Sequence, residues 1–165
     1  GFAGNREITK RSGALDRFRE MLLALLAELA RGLVRDGEGA TKVIEITVEE
    51  AKTLSDARRV AYAVANSNLV KTAFFGGDPN WGRIISAVGS VGIDLPVDRV
   101  RLFFEDVPLF ADGKGNLDQV EKLAGIMKQA DIRVRIGLGM GRRSWTGYTS
   151  DLSFDYIKID AHYHT

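Results

Sequence analysis

The sequence predicts an α/β fold, a mixed sheet packed with helices, in a single domain over residues 1–165. Three observations predict it. Apolar residues recur at three- and four-residue steps in some segments, and these alternate along the chain with short runs in which β-branched and polar residues take turns. Glycine-rich breaks fall between the two kinds of segment. A chain of 165 residues that is 45% hydrophobic is long enough to bury one sizeable core, and a second full domain is not expected.

The elements follow in order. Residues 13–35 carry Leu15, Phe18, Leu22, Leu25, Leu26, Leu29 and Leu33 on one side of a helix. Its centre, Met21 to Ala27, is flanked by Glu20 and Glu28 and falls short of the roughly 18 apolar residues of a membrane span, so a buried helix is expected. Gly37 is placed to end it. Residues 42–48 alternate and read as a strand, and a helix follows over 55–66 with Ser55 as N-cap. Residues 69–75 read as a strand. Gly76-Gly77-Asp78-Pro79 then breaks the chain before a helix over 80–91, with Pro79 near its first turn, Asp78 as cap and Trp81 as packing.

Residues 100–105 and 107–111 read as strands, with a tight turn at Asp112-Gly113-Lys114-Gly115. A helix over 117–129 places Leu117, Val120, Leu123, Ala124 and Met127 on one face. Strands over 132–136 and 154–159 close the list, joined by a flexible connection that holds Gly137-Leu138-Gly139-Met140-Gly141. Those glycines do not open a convincing helix, so a nucleotide-binding loop is set aside. Strand order does not follow from the pattern.

Charge and composition exclude several classes. With 23 basic against 22 acidic residues, the net charge of +1 gives no electrostatic case for nucleic acid or an anionic membrane. Zero cysteines exclude disulfides, thiolate metal sites and a cysteine nucleophile within the sequence. The start, Gly1-Phe2-Ala3-Gly4-Asn5-Arg6-Glu7, lacks the charged and apolar regions of a signal peptide. His162 and His164 stand two apart near the end, a weak metal signal without further ligands, and no metal or other cofactor is expected.

Three segments carry the chemistry. In Arg35-Asp36-Gly37-Glu38-Gly39-Ala40-Thr41-Lys42, one carboxylate stands between two glycines, which allow positive φ and close approach of a ligand. A helix stop with solvated charges is the plainer reading; a carboxylate presented to a cationic group is the sharper one. The second segment is Lys71-Thr72-Ala73-Phe74-Phe75-Gly76-Gly77-Asp78-Pro79-Asn80-Trp81-Gly82-Arg83, in which Lys71 and Arg83 are available to an acidic substrate group or a partner chain. The third runs from Asp151 through Asp160 and His162 to Thr165.

In that order and at these separations, the three segments resemble the C-terminal part of the β chain of ornithine acetyltransferase, the bifunctional glutamate N-acetyltransferase family of arginine biosynthesis. The resemblance covers essentially the whole sequence. It implies a cytoplasmic enzyme that moves an acetyl group from N-acetylornithine to glutamate by a ping-pong route, through a threonine acyl-enzyme. That threonine opens the family's β chain after self-cleavage. No Thr-Met-Leu type motif occurs here, and Thr9, Thr41, Thr47, Thr53 and Thr72 are internal, without the free amine that would serve as base. No catalytic residue is therefore expected in this chain, which alone should be inactive. The implied partners are the N-terminal α chain and the missing start of the β chain, in a hetero-oligomer, with the small molecules N-acetylornithine and glutamate.

The resemblance also implies substrate contacts at Glu38, Asp160 and Thr165. Asp160 stands where the family usually has asparagine; an ionised aspartate only accepts hydrogen bonds, so it would face the substrate ammonium or mark a different amino-acid preference. A solvated charge at the end of a terminal strand is the plainer alternative there. Ornithine carries two ammonium groups and one carboxylate, and Glu38 can accept from an ammonium. Use of acetyl-coenzyme A stays open. The competing function is a non-catalytic assembly or binding domain of the same fold.

Overall fold

The computed structural model describes residue 4, residues 13–116 and residues 118–163. The chain divides into two compact units, residues 1–33 and 34–165. The first unit carries nearly all of α1 (Gly13–Arg35), none of whose residues is buried. Met21, Leu23 and Leu33 are 67%, 66% and 76% exposed, so the expectation of a buried helix fails. Helical periodicity reports that one face is apolar. It does not report whether the same chain supplies the surface that covers it.

The second unit is a six-stranded mixed sheet, in the order β4-β3-β2-β5-β1-β6. Its strands are β1 (Val43–Ala51), β2 (Arg101–Phe104), β3 (Val107–Ala111), β4 (Lys114–Gly115), β5 (Asp131–Gly137) and β6 (Arg143–Ser150). β1 and β5 run parallel, with Ile44 opposite Ile132 and Val48 opposite Ile136. All other described pairings are antiparallel, including β1 with β6, where Ile44 faces Thr149.

Period-2 alternation divides the sheet into two faces. Ile44, Ile46 and Val48 of β1, Ile132, Val134 and Ile136 of β5, and Leu102 and Phe104 of β2 are all buried in one core. That core is completed by α2 (Leu54–Ala65), α3 (Asn68–Phe75), α4 (Trp81–Gly89) and α5 (Val120–Met127), through side chains such as Val60, Val64, Phe74, Ile84 and Leu123. The intervening positions are polar apart from Phe103: Thr47 and Thr146 join hydroxyls at 2.9 Å across β1 and β6, and Arg135 lies 4.6 Å from the Phe103 ring centroid.

Several local assignments differ from the sequence reading. Residues 69–75 form helix α3 and not a strand, because the Ser67 hydroxyl caps it at Val70 N, and Val70, Ala73 and Phe74 bury at helical spacing. Residues 154–159 lie in helix α6 (Phe154–His162), for which the Ser153 hydroxyl supplies the cap at Tyr156 N. The last strand is instead β6, in the segment read as a flexible connection. Gly147 had concealed it: the indole of Trp145 lies over that glycine, where a side chain at residue 147 would collide with it. Trp145 also stacks on Tyr62 of α2 at 5.2 Å.

Two caps each move by two residues. Thr53, not Ser55, caps α2, accepting from Asp56 N at 3.0 Å. Asn80, not Asp78, caps α4, accepting from Arg83 N at 3.0 Å while its amide donates to Asp78 at 2.9 Å. Trp81 packs as expected, 5.4 Å from the Phe110 ring and over Gly115 of β4, so the turn at 112–115 resolves into Asp112-Gly113 and that short strand. The helix foreseen over 117–129 narrows to α5, and Leu117 lies outside the described residues.

Candidate functional site

The loop after α1 is built by short-range turns: Gly37 N donates to Val34 O at 3.2 Å and Ala40 N to Gly37 O at 3.0 Å. Gly39 takes φ +63, which an L side chain adopts only with strain, and a Cβ there would overlap the backbone of Tyr156 at the start of α6. The loop therefore rests directly on the first turn of that helix. Ser153 joins the two, donating to Gly39 O at 2.6 Å and accepting from Tyr156 N at 3.2 Å.

A second fastening lies two residues before Ser153, at Asp151. Asp151 is 3% exposed, and its carboxylate accepts from Thr41 N at 2.8 Å, Lys42 N at 2.9 Å and the Thr41 hydroxyl. Three donors compensate the burial of the charge. Beside it, the half-buried Lys71 of α3 reaches the hydroxyls of Thr149 and Ser150, each at 3.4 Å, while its carbonyl accepts from Leu152 N at 3.3 Å. Burial pulls the Lys71 ammonium below its usual pKa of 10.5, and the nearby Asp151 charge acts in the opposite direction. Thr149 also donates to Ala65 O at 2.9 Å, tying this end of β6 to α2.

Glu38 is exposed on the loop held by these fastenings, and its carboxylate has no partner among the described residues. Asp160 is exposed on α6, one turn beyond Tyr156, likewise without a side-chain partner among the described residues. It thus sits on a helix and not at the end of a strand. Thr165 and His164 lie outside the described residues. The structure brings the Glu38 loop against the helix that carries Asp160; no hydrogen bond or ion pair joins the two carboxylates.

Other candidates are accounted for by packing. Arg83 donates to Leu69 O at 2.8 Å and sits 3.3 Å from the Thr72 hydroxyl, so it ties α4 to α3. His162 turns Nδ1 to Lys158 O at 2.7 Å, within its own helix. Among the described residues, no group of three or more potential ligands is placed to hold a metal ion. The 137–141 glycine segment is pinned by Leu138 N to Glu49 O at 3.0 Å and by Met140 N and Gly141 N to Glu50 O, both at 2.8 Å. It turns into β6 rather than a helix. Beside it, an open groove is lined by Glu50, Asp98, Arg99, Arg101 and Asp112, with Glu50 paired to Arg101. No helix among the described residues is long and apolar enough to cross a membrane.

Sequence reasoning missed Asp151 and Ser153 as the parts that hold the loop. Ser153 was detectable as a cap, three residues ahead of Tyr156. Asp151 had no local signal, because its partners at 41 and 42 are remote in sequence.

An α/β domain of one mixed sheet, with helices on its apolar face and an acidic loop fastened at one end, is the class these features define. The ArgJ family model matches residues 2–165, and the chain belongs to that family. It is 46% identical over its whole length to the arginine biosynthesis bifunctional protein ArgJ of Geobacter sulfurreducens, of which it covers 42%. To the protein of the same name from Syntrophotalea carbinolica it is 48% identical over 96% of the chain, covering 41% of that relative. The chain thus spans about two fifths of the length of these relatives. The crystal structure of the arginine biosynthesis bifunctional protein argJ from Bacillus halodurans superposes with a TM-score of 0.91 at 32% identity, over 96% of this chain and 75% of that one.

Proposed function

We propose that this chain supplies amino-acid substrate contacts to an enzyme of arginine biosynthesis that moves an acetyl group from N-acetylornithine to glutamate. The acetyl group passes to a threonine hydroxyl outside this chain, ornithine leaves, and the amine of glutamate then takes the acetyl group from the threonine ester. Glu38 accepts from a substrate ammonium, with Asp160 and Thr165 completing the contacts. The observation that carries this reading is an exposed carboxylate, unpartnered among the described residues, on a loop fixed at two points. A carboxylate held in place forms a charge-assisted bond of about 1.5–3 kcal/mol with less ordering cost than a mobile one.

The test is Glu38→Gln in a protein of the relatives' full length that carries this chain. It should lower kcat/KM for N-acetylornithine by roughly tenfold to a hundredfold, chiefly through KM. Unchanged kcat/KM would remove Glu38 from the substrate site. The chain by itself is proposed to transfer no acetyl group.

A second reading, a non-catalytic assembly domain, draws support from the exposed leucines of α1. Acetyl transfer by the full-length protein with a Glu38-dependent KM would argue against it.

A further inference from the structure

We propose that Asp151 and Ser153 are positioning residues for Glu38: together they set the loop that presents its carboxylate. This rests on the reading of Glu38 as a substrate contact. The two fastenings grip the loop on the C-terminal side of Glu38, Ser153 at the very next residue and Asp151 at Thr41 and Lys42. Joining β6 to β1 does not require them. Val43 already pairs with Ser150 in the ladder, and Asp151 N already donates to Lys42 O at 3.4 Å. A buried carboxylate is an expensive way to continue a sheet, yet all three of its donors come from the stretch that follows Glu38. Ser153 is equally divided, since one hydroxyl both caps α6 and holds Gly39. The position of Glu38 is thereby linked to the helix that carries Asp160.

Asparagine at 151 keeps the shape, and its oxygen can still accept from Thr41 N and Lys42 N, but its NH2 group faces the Thr41 hydroxyl, which must turn from donor to acceptor, and all three contacts lose the ionised acceptor. Alanine at 153 removes both of that residue's contacts; threonine keeps them. The experiment measures kcat and KM for N-acetylornithine in the full-length protein, well below each variant's Tm, for Asp151→Asn, Ser153→Ala, Ser153→Thr, Glu38→Gln and the double variant Glu38→Gln/Asp151→Asn.

The expected result is a loss of about tenfold in kcat/KM, mainly in KM, for Asp151→Asn and for Ser153→Ala. Ser153→Thr should recover most of the loss. The double variant should be little worse than Glu38→Gln alone, because a misplaced glutamine has no ammonium contact left to lose. Should Asp151→Asn fail to fold, the Ser153 pair and the double variant Glu38→Gln/Ser153→Ala carry the same comparison. A lowered Tm with kcat/KM unchanged, or effects that add fully with Glu38→Gln, would overturn the positioning role and leave the Glu38 reading intact. A Glu38→Gln variant with full activity would overturn both.

Discussion

At the scale of single residues, the two glycines around Glu38 turn out to do different work. Gly39 needs its freedom, with φ +63 and the Tyr156 backbone where a Cβ would be; Gly37 has ordinary φ and would bring a Cβ only to 3.1 Å from Val34 O. Gly39→Ala should therefore cost about 1–3 kcal/mol from strain and overpacking together, and Gly37→Ala clearly less. Urea unfolding of the two variants decides it, and equal losses would mean that the loop is not seated on α6 as described. The glycine spacing marks this loop, but by itself it reads most plainly as a helix stop with solvated charges, and a substrate role for Glu38 comes only with the family resemblance. The sequence could not show Asp151 beneath Thr41 and Lys42, because a contact between residues so far apart leaves no local pattern.

At the scale of elements, alternation was read correctly where both sheet faces speak, and misread where only one does. β1 and β5 bury their apolar residues and leave the charged or polar ones between them only partly covered, so their strands were legible. In α6, Phe154, Tyr156 and Ile157 are exposed rather than sorted by a core, and the apparent alternation there had no burial behind it. In β6, the periodicity is broken by Gly147, whose missing side chain is replaced by the Trp145 ring. Gly147→Val should displace that ring from its stack on Tyr62 and destabilise the chain by about 1–3 kcal/mol, despite valine's preference for strands. Tryptophan fluorescence and thermal melting would report it; a stabilised variant with an unchanged spectrum would show that the ring does not depend on the glycine.

For the molecule as a whole, Lys71 adds a pH dependence of unusual sign for a lysine near a carboxylate. Burial outweighs the Asp151 charge, so the folded state holds this proton less tightly than the unfolded chain does. Between the lowered folded pKa and 10.5 the unfolded state binds more protons, and stability rises with pH across that window. Lys71→Met, which keeps the apolar stem, removes this contribution. The stability of the wild-type chain relative to the variant should therefore increase as pH is raised toward 10.5 in paired urea titrations. A difference that stays flat or falls would mean that Asp151 dominates instead.

The position of β1 inside the sheet, between β5 and the edge strand β6, has a consequence for how the chain is made. Its neighbours are β5 and β6, so Val43 must wait for Asp131 on one side and Ser150 on the other. During synthesis, the strand leaves the ribosome long before either neighbour does, with both edges bare and Ile44, Ile46 and Val48 uncovered by the finished core. Such distant pairings fold slowly. A nascent chain halted anywhere before β6 would therefore carry a bare edge on a strand that the finished sheet pairs on both sides, the kind of surface that chaperones bind and that otherwise seeds aggregation.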